Sequence, residues 1–330
     1  MTTFTRPGPA APDLSSPIAD ELDRAVAAFD AELRSDVPFV ADLVTHVAEF
    51  RGKLLRPRLL LLAGRTVGEL TDVHVTLAAV VEMVHMATLV HDDVLDESDL
   101  RRRRSTVNRV AGNESAVLLG DYLISHAYHL CSGFGETGYA RRVAAVTNTV
   151  CEGELMQIHH RADPHLSLEQ YLDIVRRKTA ALTGLCCELG ARAAGAVKGQ
   201  VAALAGFGVD LGVAFQIVDD VLDLTGSEHE IGKSVGRDAE LGKWTLPAIR
   251  FRDRANDTDR RRIVELIQSG SRDAAAQLRD LLDGAGAIEE SIAFARQYVD
   301  SALRRLECCR TGAARDALAA AAEFTLSRRL

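Results

Sequence analysis

Apolar residues recur every three or four positions along most of the chain. Leu168, Tyr171, Leu172 and Val175 illustrate this pattern, because residues at these intervals lie on one face of a helix. We find no convincing segment with the alternating apolar and polar residues that predict a strand. The pattern predicts helices over residues 18–33, 38–50, 54–67, 71–96, 113–131, 138–160, 167–194, 198–225, 244–252, 257–269, 272–283, 286–306 and 311–328.

The beginning of the chain differs from the rest. Residues 1–17 contain four prolines among small polar neighbours, which predicts a flexible tail. No stretch rich in proline, glycine or serine divides residues 18–330. We therefore expect one all-α domain, built as a single large antiparallel helical bundle around a central cavity.

Composition narrows the possible classes of protein. With 330 residues, of which 47% are hydrophobic, the chain has ample material for a core, and a net charge of −8 argues against a general nucleic-acid binder. Its six cysteines include no CxxC pair, which favours free thiols in a reducing compartment. We expect no apolar stretch to reach the length of a transmembrane helix, and the N-terminus lacks a signal-peptide pattern. A soluble cytoplasmic protein is predicted.

One acidic pentapeptide occurs twice. Asp92-Asp93-Val94-Leu95-Asp96 repeats as Asp219-Asp220-Val221-Leu222-Asp223, and each copy ends a long apolar run. Residues four apart share a helix face, so Asp92 lies over Asp96 and Asp219 over Asp223. Crowded carboxylates repel each other unless a cation lies between them, and Mg²⁺ commonly bridges carboxylates to phosphates. Solvated acids at two helix ends are the alternative, but two identical copies favour one metal–diphosphate site.

Basic residues occur close to these acids in the sequence. Lys53 and Arg56 are three residues apart, so one helical turn brings them together. Arg101 and Arg102 begin a run of four arginines shortly after Asp96, and arginine suits phosphate oxygens. Each group taken alone is equally consistent with a solvated surface.

Further cations lie near the second acidic copy. Lys178 belongs to a basic cluster within a predicted helix. Lys233 and Lys243 lie in a glycine-punctuated segment after Asp223, which is typical of a lid over a bound anion, although a mobile surface loop fits as well. His85 precedes Asp92 by two helical turns and, from its position alone, reads as a buried core histidine.

Five segments together resemble one family, the trans-isoprenyl diphosphate synthases or polyprenyl synthetases. They occur in family order, and the resemblance extends over residues 50–249 by motif and further by helical pattern. Arg51, Arg103 and Ser105 depart from the family pattern, which has glycine, glycine and proline there. The matching segments are GKLLRP, HDDVLDESDLRR, RRKTAAL, FQIVDDVLDLTG and GKSVGRDAELGKWTLP.

The resemblance implies an isoprenoid synthase fold, a homodimer and specific residue roles. The implied Mg²⁺ ligands are Asp92, Asp96 and Asp219, supported by Asp93, Asp220 and Asp223. The residues implied to bind the diphosphate of isopentenyl diphosphate are Lys53, Arg56, His85 and Arg102. Those implied to bind the allylic diphosphate are Arg101, Lys178, Lys233 and Lys243. Thr179 and Gln216 would line the reacting carbons and stabilise the developing cation.

The implied activity is repeated condensation of an allylic diphosphate with isopentenyl diphosphate. We expect an all-trans product of hepta- to decaprenyl length, used for quinone side chains. Short-chain members of the family have large aromatic residues one turn before the first acidic motif, whereas Ala87 and Thr88 are small. The floor of the product tunnel would then lie deeper, at an aromatic residue such as Tyr122 or Tyr128. The alternatives are a class I terpene cyclase, a farnesyl or geranylgeranyl diphosphate synthase, and the non-catalytic subunit of a heteromeric synthase.

Overall fold

A computed structural model describes residues 12–135, 138–225 and 236–328. The all-α prediction is confirmed. A 3₁₀ turn at Ser16–Ile18 precedes the first helix, and another at Leu306–Cys308 precedes the last. The helices are α1 (Ala19–Glu32), α2 (Pro38–Ala48), α3 (Leu55–Val67), α4 (Asp72–Leu95), α5 (Val107–Ser132), α6 (Tyr139–His159), α7 (Leu168–Val175), α8 (Ala181–Ala193), α9 (Lys198–Thr225), α10 (Arg237–Glu240), α11 (Leu246–Arg254), α12 (Asp257–Ser269), α13 (Arg272–Gly284), α14 (Ala287–Arg305) and α15 (Ala313–Ser327).

Helices α4 and α9 form the centre of the bundle. Both are long and apolar around most of their circumference, which is the pattern of a core helix. Our expectation that no apolar stretch reaches the length of a membrane span was wrong, because both helices meet that criterion of length and composition. In the most apolar windows of α4 and α9, 72% and 56% of the residues, respectively, are buried inside the bundle. Their apolar character therefore has an explanation in core packing.

Glycines allow the central helices to approach closely. A Cβ atom added at Gly190 in α8 would lie 2.0 Å from the carbonyl oxygen of Leu60 in α3. A Cβ atom at Gly208 in α9 would lie 2.3 Å from the carbonyl oxygen of Thr183 in α8. Because no side chain fits at either point, these glycines allow α8 to pack closely against both α3 and α9.

A small hairpin follows the first acidic motif and was not predicted. Strand β1 (Leu100–Arg101) pairs antiparallel with β2 (Arg104–Ser105). Two-residue strands are too short to show an alternating pattern. The turn places Arg102 and Arg103 at φ values of +50° and +66°, a region that favours glycine. The arginine at 103, where the family pattern has glycine, therefore occupies a strained position.

Other differences from the predicted helices are local. The helix predicted over 167–194 is interrupted by a π-helical segment at Arg176–Ala180. Helix α5 begins at Val107, earlier than predicted, and Gly112 breaks its regular geometry with φ +84°. The short helix α10 was not predicted. Each irregularity depends on tertiary packing or on a single glycine, so helical periodicity does not reveal it.

Candidate active site

The two acidic copies lie at the C-terminal ends of α4 and α9, and the segment after α9 connects them. Lys243 Nζ lies 3.3 Å from Asp96 Oδ1 and 3.5 Å from Asp238 Oδ1. The backbone N–H of Asp238 donates to Asp223 Oδ2 at 3.0 Å. Burial lowers the pKa of Lys243, but Asp238 and Asp96 raise it above its usual value overall. This chain of contacts shows that both copies border one site.

Adjacent aspartates in the first copy have different surroundings. Asp93 is buried, and both of its oxygens accept hydrogen bonds of 2.8 Å from Arg101 Nε and Nη2. For Asp92, burial raises the pKa to about 6, with Glu154 and Asp96 adding to the rise and Lys178 opposing it. A bound cation would therefore stabilise the ionised form of Asp92, whereas Asp93 is already paired with Arg101.

The aspartates of the second copy also differ from one another in their surroundings. Asp220 is buried and accepts hydrogen bonds from Tyr171 Oη at 2.6 Å and Gln216 Nε2 at 2.8 Å. Burial, together with Asp238, raises the pKa of Asp220 to about 8 and that of Asp223 to about 7. Asp219 Oδ1 lies 2.9 Å from Arg328 Nη1, just beyond the end of α15.

The donor set fits a hard divalent cation. Carboxylates of both copies face one site, and three of them have pKa values raised towards neutrality because they are buried near other acids. A bound divalent cation would relieve this repulsion, and oxygen donors are those that Mg²⁺ prefers.

The π-helical segment positions two of the predicted substrate residues. π-Bulges occur frequently at functional sites, and this one carries Lys178 and Thr179. Lys178 Nζ donates to Gln157 Oε1 at 2.7 Å and pairs with Glu154. Thr179 Oγ1 donates to Gln216 Oε1 at 2.7 Å. Because Gln216 in turn donates to Asp220, Thr179 is linked by hydrogen bonds to the second acidic copy.

A cavity lies beside this network. Its wall combines polar groups of the acidic site with apolar and aromatic residues of α7 and of the segment that precedes α11. It is lined by Gln157, His160, Leu166, Tyr171, Ile174, Val175, Lys178, Thr179, Gln216, Asp220, Asp238, Lys243, Trp244 and Thr245. Predicted residues from α9 and the π segment thus share one cavity with Lys243.

A second basic group surrounds the start of α3. Arg56 Nη1 lies 2.8 Å from His85 Nε2, and Arg102 Nη1 donates to the carbonyl oxygen of Phe50 at 2.5 Å. Burial and the nearby arginines hold the pKa of His85 well below its usual value, so its ring is neutral and Nε2 accepts from Arg56. Lys53 Nζ lies 5.5 Å from the ring centroid of Phe324 in α15.

Gly52 explains how Arg102 reaches this group. A Cβ atom at Gly52 would lie 2.1 Å from the Arg102 guanidinium. Because Gly52 has no side chain, the guanidinium of Arg102 can lie directly against its backbone.

Glu82 is a buried acid close to this basic group, and it was not predicted from the sequence. Its side chain is buried, with a relative exposure of 4%. Burial raises its pKa, while Arg56, Arg51 and Arg102 lower it. Its Oε2 atom has no hydrogen-bond partner within the described residues. A signal was available, since Glu82 is an acid within an otherwise apolar run, one turn before His85.

The structure does not show two of the residues predicted to bind the allylic diphosphate in that role. Arg101, expected to bind the allylic diphosphate, bonds Asp93 instead in this structure. Lys233 lies outside the described residues. Other residues around the acids were missed because no motif marks them. They are Glu154, Gln157, Arg161, Tyr171, Arg237 and Arg328.

The chain is similar to known proteins in both sequence and fold. The family model described as polyprenyl synthetase matches residues 37–283. The octaprenyl diphosphate synthase of Escherichia coli K12 is 32% identical over 311 residues, which are 94% of this chain and 96% of that protein. A short chain isoprenyl diphosphate synthase of Methanothermobacter thermautotrophicus is 33% identical over 287 residues, covering 86% of this chain and 88% of that protein.

A solved structure agrees over the full length. The polyprenyl synthase of Caulobacter crescentus, crystallised with calcium and isoprenyl diphosphate, has a TM-score of 0.93 to this structure at 32% identity. The match covers 99% of this chain and 100% of that chain.

Proposed function

Because the chain belongs to the polyprenyl synthetase family, we propose that it condenses an allylic diphosphate with isopentenyl diphosphate. The observation that carries the proposal is the presence of two separate cationic groups. Lys178 and Lys243 contact the acidic site, whereas Arg56 and Arg102 lie together near the start of α3. Two diphosphates can therefore be held at once, each by its own cations.

The reaction requires that the allylic C–O bond break and that its diphosphate leave. Lys178 and Lys243 would stabilise the negative charge that develops on this leaving group. When bound by Asp92, Asp96 and Asp219, Mg²⁺ would supply further charge neutralisation there. Holding isopentenyl diphosphate at Lys53, Arg56, His85 and Arg102 would place its double bond for attack on the allylic carbon. The proton then lost would pass to the released diphosphate.

Thr179 and Gln216 would stabilise the cation before it is attacked. Their hydrogen bond directs the Thr179 hydroxyl proton to Gln216 Oε1, which leaves the Oγ1 lone pairs available to the cavity. Oxygen lone pairs favour a nearby positive carbon. Hydrogen bonding fixes both side chains in advance, so little reorganisation is needed during the reaction.

We propose a product of hepta- to decaprenyl length. Ala87 is buried and Thr88 is half-buried, so neither provides a large floor one turn before Asp92. The octaprenyl synthase relative supports this range, whereas the short-chain relative of similar identity shows that identity alone does not decide length. We also propose a cytoplasmic location and, from the exposed apolar side chains of α5, a homodimer.

Incubation with Mg²⁺ and farnesyl diphosphate, with and without isopentenyl diphosphate, tests the activity. We expect polyprenyl diphosphate when both substrates are present and no hydrocarbon when isopentenyl diphosphate is omitted. A cyclic hydrocarbon formed without the second substrate would identify a terpene cyclase. If the purified chain is inactive but activates another chain, it is instead a non-catalytic subunit, although both of its acidic copies are complete.

A further inference from the structure

Two histidines of α5 contact a glutamate at the end of α1, and none of the three is among the residues assigned to catalysis. His126 and His129 are three residues apart and therefore share a helix face. Glu32 is the last residue of α1. These three residues form what we call the α1–α5 cluster.

The α1–α5 cluster converges on one carboxylate oxygen. Glu32 Oε1 lies 2.8 Å from His126 Nδ1 and 2.9 Å from His129 Nδ1. Within the described residues, these are three donor atoms of metal-ligating type that all lie within 4.8 Å of one another. Burial raises the pKa of Glu32, but the two histidine hydrogen bonds lower it below its usual value overall, so the carboxylate is ionised.

We propose that Glu32, His126 and His129 bind a divalent transition-metal ion, with Zn²⁺ as the ion of reference. Two imidazole nitrogens and one carboxylate oxygen suit Zn²⁺ and its neighbours in the first transition series. Binding needs each histidine to present a lone pair at Nδ1, so the proton that Nδ1 donates in the metal-free state moves to Nε2. The His129 side chain is 76% exposed, which leaves that proton in solvent and leaves room for water to complete the coordination.

The cluster differs in kind from the aspartate site. The aspartate site offers carboxylate oxygens, which Mg²⁺ prefers, whereas imidazole nitrogen is a poor ligand for Mg²⁺. Excess Mg²⁺ should therefore occupy the aspartates and leave the α1–α5 cluster to the transition metal.

A metal ion bound at the cluster would link α1 to α5, two helices that are distant in sequence. Helices α1 and α5 both pack on α4, and His126 is 94 residues from Glu32. A metal bound by both helices binds the folded state and not the unfolded chain, so it raises the unfolding temperature. This effect does not depend on catalysis.

Co²⁺ provides a direct probe, because its visible absorption shifts and becomes more intense when protein ligands replace water around the ion. We expect the full-length protein, in excess Mg²⁺, to bind one Co²⁺ per chain with a visible band that Zn²⁺ displaces. His126→Asn and His129→Asn should each weaken binding at least tenfold and abolish the rise in unfolding temperature caused by Zn²⁺. His165→Asn, which changes an exposed histidine between α6 and α7, is the matched control and should bind as the wild type does.

Glu32→Gln guards against variants that fail to fold, since it keeps the size and one acceptor oxygen of Glu32. It should weaken Zn²⁺ binding while the circular dichroism spectrum stays helical. The proposal is overturned if Co²⁺ shows no visible band, or if the band and the Zn²⁺ stabilisation survive both histidine substitutions. It is also overturned if Mg²⁺ alone removes the Co²⁺ signal.

Discussion

Arg101 holds Asp93 through two hydrogen bonds of 2.8 Å, while the preceding aspartate, Asp92, faces the acidic site with its pKa raised to about 6. Two neighbouring carboxylates of one motif therefore differ in what they contribute. Asp93 fixes the β1–β2 hairpin, which carries Arg102, to the end of α4. Asp92 is positioned for a metal ion.

Matched substitutions should separate these two contributions. Asp93→Asn leaves Arg101 buried beside a neutral amide, and breaking such a pair costs about 3–5 kcal/mol. We expect a lower free energy of unfolding in urea. Asp92→Asn removes charge from a repelling cluster, so the metal-free protein should be as stable as the wild type or slightly more stable, while turnover is abolished. Equal stability losses in the two variants would show that this assignment is wrong.

Asp219→Asn should resemble Asp92→Asn. Asp219 is the first residue of the second copy, contacts Arg328, and is proposed as a metal ligand. The variant should lose turnover and keep the helical circular dichroism spectrum. Near-normal activity of this variant would mean that the metal site has been misplaced.

The stability of the metal-free protein should depend on pH. Asp220 and Asp223 have pKa values raised to about 8 and 7 in the folded state. The contribution of their protonation to the free energy of unfolding is therefore fully present at low pH and is lost as pH rises through these values. We expect the unfolding temperature in chelator to fall by about 2–6 °C between pH 6 and pH 9. Calorimetry at several pH values measures this change.

Two controls accompany the pH experiment. Asp220→Asn has one buried acid fewer and should flatten the dependence. Saturating Mg²⁺ should flatten it as well, because the cation takes the place of the protons. An unfolding temperature that rises between pH 6 and pH 9, or an unchanged slope in Asp220→Asn, would contradict the raised pKa values.

Ala87→Phe should shorten the product. Ala87 is completely buried one turn before Asp92, and a phenyl ring there would block a chain that grows away from the acids. Overpacking of this kind also costs about 1–3 kcal/mol, so stability must be measured alongside product length by chromatography. Ala63→Phe in α3, at another fully buried alanine, should lose stability without shortening the product. An unchanged product length in Ala87→Phe would place the tunnel elsewhere.

A homodimer should form through the exposed apolar face of α5. Among the large apolar residues of that helix, Leu118 is the most exposed, at 66%. Leu118→Glu should convert a dimer to a monomer in light scattering, because an unpaired charge in an apolar interface is costly. Val197→Glu is the matched control, since Val197 is 67% exposed and lies outside α5 and α6. A wild-type monomer at working concentration would refute the dimer.

The predicted helices and the paired acids rest on geometry that is local to a helix. Periodicity of 3.6 residues makes an apolar face visible in the sequence, and it places Asp92 over Asp96 before any fold is known. Glycine at position 52 and the basic residues around it also followed the family pattern. These features were predictable because each depends on residues only a few positions apart.

The partners of the acids were decided by tertiary structure. Tyr171 reaches Asp220 across 49 residues, and Arg328 reaches Asp219 from beyond the end of the last helix. The pairing of Arg101 with Asp93 involves a turn with positive φ, and the π segment that carries Lys178 packs against α6 and α9. Sequence alone determined which residues could carry charge at this site. Helix packing determined which of those charges are already paired, because the distances between helices depend on the packing of the whole core.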